Sequence, residues 1–169
     1  DRGKLSEPAL STGPISGERY WSRDFMEREL DGIWTKAWLI GGLVEQVPNP
    51  GDFFTYEIGR ESILVTRGED HAIRAFYNVC PHRGKRLVDE EQGQARRIAC
   101  AYHGWRFKPD GELTFVPCAE DFPGGSPCGQ IGLAPVRCET FAGFVWVNLD
   151  PAASSLADHL GPVGPQLEC

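Results

Sequence analysis

The 169-residue sequence predicts a mainly β fold, built of short strands joined by turns, with one helical segment near the N-terminus. Three observations carry that expectation. Gly, at 20, and Pro, at 13, are both abundant, which favours turns between strands over a helical bundle. From residue 43 onward, β-branched and aromatic residues gather in short runs bounded by turn residues. Only 22–38 shows helical spacing: Phe25, Met26, Leu30, Ile33, Trp34 and Ala37 recur at intervals of three and four.

Taken in order, residues 1–19 are polar, with Pro and Gly, and read as a poorly ordered arm. Ser22 is placed to cap the helix, and Gly41-Gly42 to end it; Phe25, Trp34 and Trp38 are expected to pack into the core. Pro48-Asn49-Pro50-Gly51 is a turn. Strands are expected over 52–58 and 62–66, then, after Gly68-Glu69-Asp70, over 71–79. Pro109-Asp110-Gly111 signals a hairpin between 105–108 and 112–116. Residues 117–130 read as a long loop, and 131–138 and 144–149 as the last strands. After Asp150 the Pro-Ala-Ala-Ser-Ser and Gly-Pro-Val-Gly-Pro stretches have linker composition.

The charge excludes some functions. Seventeen basic against 24 acidic residues give a net charge of −7, which is unfavourable for phosphate-backbone binding, so no nucleic-acid partner is expected. No run of 18 apolar residues suggests a membrane span. The first eight residues have no apolar signal-peptide core, and the first residue is not Met, so a trimmed or processed start and a cytoplasmic location are expected. In a reducing compartment, six cysteines point to metal binding before disulfides, because Cys80 and Cys100 each lie beside a histidine in a Gly-containing loop.

The chemistry is concentrated there. Cys80-Pro81-His82-Arg83-Gly84 and Cys100-Ala101-Tyr102-His103-Gly104-Trp105 form C-x-H, seventeen residues, then C-x-x-H. Two thiolates and two imidazoles on two loops suit an asymmetric [2Fe–2S] centre in which one iron takes both cysteines and the other both histidines. The glycines allow tight loops whose backbone N–H groups approach the cluster sulfurs. With neutral imidazoles the oxidised centre is uncharged, whereas four thiolates would make it −2, so histidine ligation raises the potential. Those imidazoles titrate more readily on ferric iron, so the potential is expected to fall with pH once they do. The competing reading is a Cys₂His₂ zinc site, whose usual order is Cys-Cys then His-His.

These motifs resemble the Rieske domain of ring-hydroxylating oxygenase α subunits. The resemblance spans roughly residues 20–150. It takes in the helix ending in Trp38, the Pro50-Gly51-Asp52-Phe53 turn, Phe107 before Pro109-Asp110-Gly111, and the 143–150 stretch from Gly143 to Asp150. It implies antiparallel sheets in a sandwich-like arrangement, with the cluster on Cys80, His82, Cys100 and His103 at its tip and the histidines facing redox partners. Rieske proteins of cytochrome bc complexes carry an extra cysteine in each loop, joined as a disulfide. Lys85 and Tyr102 stand at those positions here, and Trp105 and Phe107 occupy the side where polar groups raise the potential. A value near the low end of the Rieske range, roughly −150 mV, is therefore expected.

The resemblance also implies the partners: a ferredoxin or flavin reductase as donor, and neighbouring oxygenase subunits, the electron usually crossing between subunits of a trimer. The family's mononuclear Fe(II), held by two histidines and a carboxylate, belongs to a catalytic domain. The only histidines here are His71, His82, His103 and His159, so that iron is expected in a domain beyond Cys169, and no catalytic residue within this chain. The domain reading is 1–42 arm and helix, 43–150 Rieske domain, and 151–169 a linker toward that catalytic domain. A free-standing Rieske ferredoxin is the alternative, although such carriers lack a segment like 22–38. Three further groups remain open. Cys118, Cys128 and Cys138, spaced by ten, are either a second metal site or unrelated, while Cys169 is incidental. Arg83, Lys85 and Arg86 are either docking charges for an acidic donor or ordinary solvated charge. Trp105 and Tyr102 are expected to pack against the loops rather than meet a partner.

Overall fold

The computed structural model describes residues 13–14 and 16–167. Most of the N-terminal arm and Cys169 therefore lie outside the described residues. Among the described residues ten strands form two antiparallel sheets. The larger runs β1 (Leu39–Leu43), β10 (Phe144–Asn148), β9 (Pro135–Phe141), β4 (Ile73–Tyr77), β3 (Glu61–Arg67), β2 (Asp52–Ile58) and β5 (Gln92–Gln94). The smaller is β6 (Ile98–Ala99), β7 (Arg106–Phe107) and β8 (Leu113–Phe115). The mainly β, antiparallel expectation holds.

Alternation along the strands divides the interior. Side chains at successive positions point to opposite faces, so Phe53 and Leu64 enter one core while Phe54, Ile63 and Val65 enter another. β3 is buried on both faces, which is why it reads as an unbroken Ile-Leu-Val run. The first core lies between the two sheets and includes Cys80, Cys100, Trp105, Phe107 and Leu113. The cysteines are thus part of the packed interior.

The two sheets are fastened at the Pro109 turn. The buried Thr66 hydroxyl donates to the Pro109 carbonyl at 2.5 Å. Gly111 closes the turn by donating to the Lys108 carbonyl and has a φ of 89°. A Cβ at Gly111 would stand 2.5 Å from the Phe76 ring. Gly111→Ala combines left-handed strain with that clash, so it should cost about 2–4 kcal/mol. Thermal unfolding followed by circular dichroism should show a Tm lowered by about 6–12 °C.

Three sequence expectations are corrected. The helix expected over 22–38 starts on its Ser22 cap, which accepts from the Phe25 N–H, but α1 is Arg23–Glu29, followed by one π turn, Leu30–Trp34. No residue of either is buried; Met26 and Trp34 are 49% and 44% exposed, so the expected core role fails for Trp34 and holds for Trp38, which is buried. Gly41-Gly42 does not end a helix but lies in β1, where the absent side chain lets this strand approach β2: a Cβ at Gly42 would be 2.7 Å from the Phe54 ring. Finally, the stretch after Asp150 is more than a linker. α2 (Leu156–Leu160) buries Leu156 against Trp38 and Trp146, and the Trp38 indole donates to the Ser154 carbonyl at 3.0 Å. Small and proline-rich composition hid a single well-placed leucine. Among the described residues no helix is long and apolar enough to cross a membrane.

Candidate metal centre

The two Cys-His motifs fold into near-identical loops. In the first, the Cys80 N–H donates to the Lys85 carbonyl and the Gly84 N–H to the Cys80 carbonyl, at 2.8 and 2.9 Å. In the second, Cys100 donates to Trp105 and Gly104 to Cys100, at 2.8 and 3.0 Å. Gly84 and Gly104 have φ of 69° and 70°, the left-handed conformation each turn needs. Both loops start from a buried cysteine. The histidine stands two residues on in one and three in the other, which is the sequence asymmetry made geometric.

Asn78 anchors the first loop, a role not apparent in the sequence. Its buried side chain accepts from the Val88 N–H at 3.0 Å and donates to the Val88 carbonyl at 2.7 Å and the Ser62 hydroxyl at 3.1 Å. One amide thus ties β3 to both ends of the segment carrying Cys80 and His82. A lone asparagine just before the motif was the only signal. Arg86, for which docking charge and solvated charge were both open, is spent structurally on Glu57, Asp89 and the Val88 carbonyl.

The donors come together in pairs. The Cys80 and Cys100 thiols lie close enough to interact, and the backbone N–H groups of His82 and Arg83 act on the Cys80 sulfur. The His82 and His103 rings lie 4.6 Å apart at 69°. Trp105 stacks on His82 at 4.7 Å with 4° between planes, and Tyr102 covers His103 at 3.8 Å. Trp105 therefore packs as expected and is buried, whereas Tyr102 is 60% exposed.

Three features suit these groups to binding metal. His103 Nδ1 is buried with no hydrogen-bond partner, a position that costs about 1–3 kcal/mol unless something binds there. Burial pushes the Cys80 thiol above its ordinary pKa, with Cys100 adding to the rise against the opposing N–H groups of His82 and Arg83; an iron would supply the charge that holds it as thiolate. Burial, with His103 and Arg83 nearby, holds His82 below its ordinary value, toward the neutral form that binds metal. Among the described residues no three His, Cys, Asp or Glu side chains close around one ion-sized point. A thiol pair beside an imidazole pair is the grouping a two-iron centre uses, whereas zinc draws four donors to one ion. The residues present fit the cluster.

The remaining candidates stay apart. His71 sits in the β3–β4 turn at φ 63°, and His159 in the last turn of α2. Cys118 is exposed, Cys128 packs against the first core and Cys138 against the second, so their even spacing does not bring them together. Burial, reinforced by Glu139, pushes the Cys138 thiol up to about 12. At pH 8 only about one Cys138 in ten thousand is then ionised. Iodoacetamide at that pH should modify Cys118 and spare Cys138, as mass-spectrometric peptide mapping would record.

Comparison with known proteins agrees with this geometry. Residues 37–136 match the family model described as the Rieske [2Fe-2S] domain. The carnitine monooxygenase oxygenase subunit of Escherichia coli strain K12 is 38% identical over 153 residues, covering 90% of this chain and 41% of the relative. The large oxygenase component of the naphthalene 1,2-dioxygenase system of Pseudomonas aeruginosa is 41% identical over 147 residues, covering 86% and 33%. Among solved structures, naphthalene 1,2-dioxygenase with indole in its active site superposes with a TM-score of 0.78 at 41% identity, over 86% of this chain and 33% of that one. A quaternary ammonium Rieske monooxygenase, described with inter-subunit electron transfer, superposes at 0.81 and 34% identity, over 89% and 41%. The chain spans about two fifths or less of these relatives.

Proposed function

This chain belongs to the Rieske [2Fe-2S] domain family, and from that premise we propose that it is the electron-transfer domain of an aromatic-ring-hydroxylating oxygenase. It takes electrons from a ferredoxin or flavin reductase in the cytoplasm and passes them to a mononuclear non-haem iron held elsewhere in the enzyme. The observation that carries this reading is the pairing of Cys80 with Cys100 and of His82 with His103, with Nδ1 of His103 left for a metal. Cys80 and Cys100 would hold one iron, and His82 and His103 the other. When bound, the cluster supplies a reversible one-electron site.

The chain's own residues do the rest. Gly84 and Gly104 turn the loops, Asn78 fixes the first of them, and Trp105 holds the plane of His82 by stacking. Both imidazoles stay partly exposed, which supports an electron path in and out at the surface. The match to oxygenase subunits extends over 153 residues, well past the 37–136 matched by the family model. Together with α1 and the docked segment at 154–160, this favours the oxygenase domain over a free-standing ferredoxin. Relatives named for carnitine and for naphthalene match at 38% and 41%, so this electron-transfer part serves enzymes with unlike substrates.

A reductive titration followed by EPR tests the proposal. One electron per chain, with a midpoint near −150 mV, is the expected result. A midpoint well above zero would contradict it.

A further inference from the structure

The segment that follows β8 makes little use of its backbone to reach the rest of the fold. Among the described residues, the hydrogen bonds made by 118–126 all close within 118–130. The chain rejoins the small sheet only where the Gly129 N–H donates to the Leu113 carbonyl at 3.1 Å. The segment also starts under strain: Cys118 has a φ of 51°, the left-handed conformation that disfavours any residue but glycine. Side chains account for what this turn achieves. Pro117 lies 3.4 Å from where a Cβ on Gly104 would stand, and Ala119 and Phe122 pack against the first core.

Phe122 reaches the candidate metal centre through one neighbour. Its ring meets Trp105 with 6.3 Å between centroids and 59° between planes, a tilted aromatic contact. Trp105 belongs to the second loop, which its carbonyl closes, yet its indole stacks on His82 of the first. One buried indole therefore couples the two loops, and Phe122 packs on it. The two imidazoles are held unequally. His82 lies against packed rings that continue into the core, whereas His103 is covered by Tyr102, an exposed side chain. A buried, interdigitated ring has less freedom to turn than an exposed one.

We propose that Phe122 is a positioning residue: through Trp105 it fixes the plane of the His82 imidazole, and so makes His82 the more rigid of the two histidine ligands. The inference rests on the electron-transfer reading above, in which His82 holds iron. Groups that pack around a metal ligand set its ring orientation, and a ligand already held in place needs less rearrangement when charge arrives or leaves. The strained turn at Cys118 serves this purpose by delivering Phe122 to Trp105. A ring that only filled space would be felt in stability alone; a ring that positions His82 is also felt at the iron.

Pulsed EPR of the one-electron-reduced, cluster-loaded chain tests the proposal, because each imidazole is read through its own nitrogen couplings. Phe122→Ala should broaden one of the two imidazole sets at least about twofold, the set that remains in His103→Ala, and leave the other at its parent width. Phe122→Tyr keeps the ring at a partly exposed position, where a hydroxyl can reach water, and should restore the parent widths. Phe122→Leu should broaden the same set by less, which keeps the test open if the alanine variant does not load its cluster. Phe115→Ala removes a ring that carries Arg106 and should change neither set. A lowered melting temperature with both sets at their parent widths overturns the positioning role and leaves Phe122 a packing residue. Equal broadening of both sets overturns it too. Absence of a cluster from the unaltered chain would overturn the electron-transfer reading, and the positioning role with it.

Discussion

Cys100→Ser should leave the purified chain colourless, with iron and acid-labile sulfide at background. Cys100 is 3% exposed, its thiol meets that of Cys80, and its loop is closed by its own N–H and carbonyl. Serine preserves the loop's backbone bonds and volume but ionises far less readily than a thiol, so one iron loses half its protein ligands. Because ligation contributes to folding, the variant should also melt earlier than the loaded parent. Cys118→Ser is the matched comparison: that cysteine is exposed and outside both cores, so iron and sulfide should match the parent. Iron and sulfide assays on the two variants, purified side by side without oxygen, check both expectations.

Asn78→Ala should have the largest effect of any single change outside the ligands. The side chain is 3% exposed and answers both backbone groups of Val88, itself buried. Alanine leaves the buried Val88 N–H without a partner, worth about 1–3 kcal/mol, and removes the bonds to the Ser62 hydroxyl and to the Val88 carbonyl, which keeps Arg86, at about 0.5–1.5 kcal/mol each, so a loss of about 2–5 kcal/mol is expected. Asn78→Asp keeps the acceptor for the Val88 N–H and removes the two donated bonds, and should not recover full stability. Because the same amide spans the Cys80–His82 loop, the alanine variant should release iron faster on dilution into chelator. Urea unfolding and the decay of visible absorbance read the two effects separately.

Much of the candidate site was legible in the sequence because its chemistry is local. Cys80, His82, Cys100 and His103 declare themselves by residue type and spacing, and each loop carries its own turn glycine. The strands of the two cores were legible where alternation is strong, as in Phe53-Phe54 and Ile63-Leu64-Val65. What stayed hidden depends on contacts distant in sequence. β5 is Gln-Gly-Gln, an edge strand with no apolar signature, and exists because β2 offers it free backbone groups. Gly41-Gly42 looks like a helix stop but serves a close strand crossing. Leu156 reads as part of a linker until Trp38 and Trp146 are seen around it. The charges of the first loop looked alike in sequence, and only their partners separate the engaged Arg86 from the unpaired Arg83 and Lys85.

Pulsed EPR of the one-electron-reduced chain, with iron and sulfide assayed on the same sample, reaches the central claim most directly. The account predicts two irons and two sulfides per chain and nitrogen couplings from two imidazoles, one of which is lost in His103→Ala. A chain free of iron and sulfide after anaerobic purification, or a reduced cluster with no imidazole nitrogen coupled to it, would contradict it.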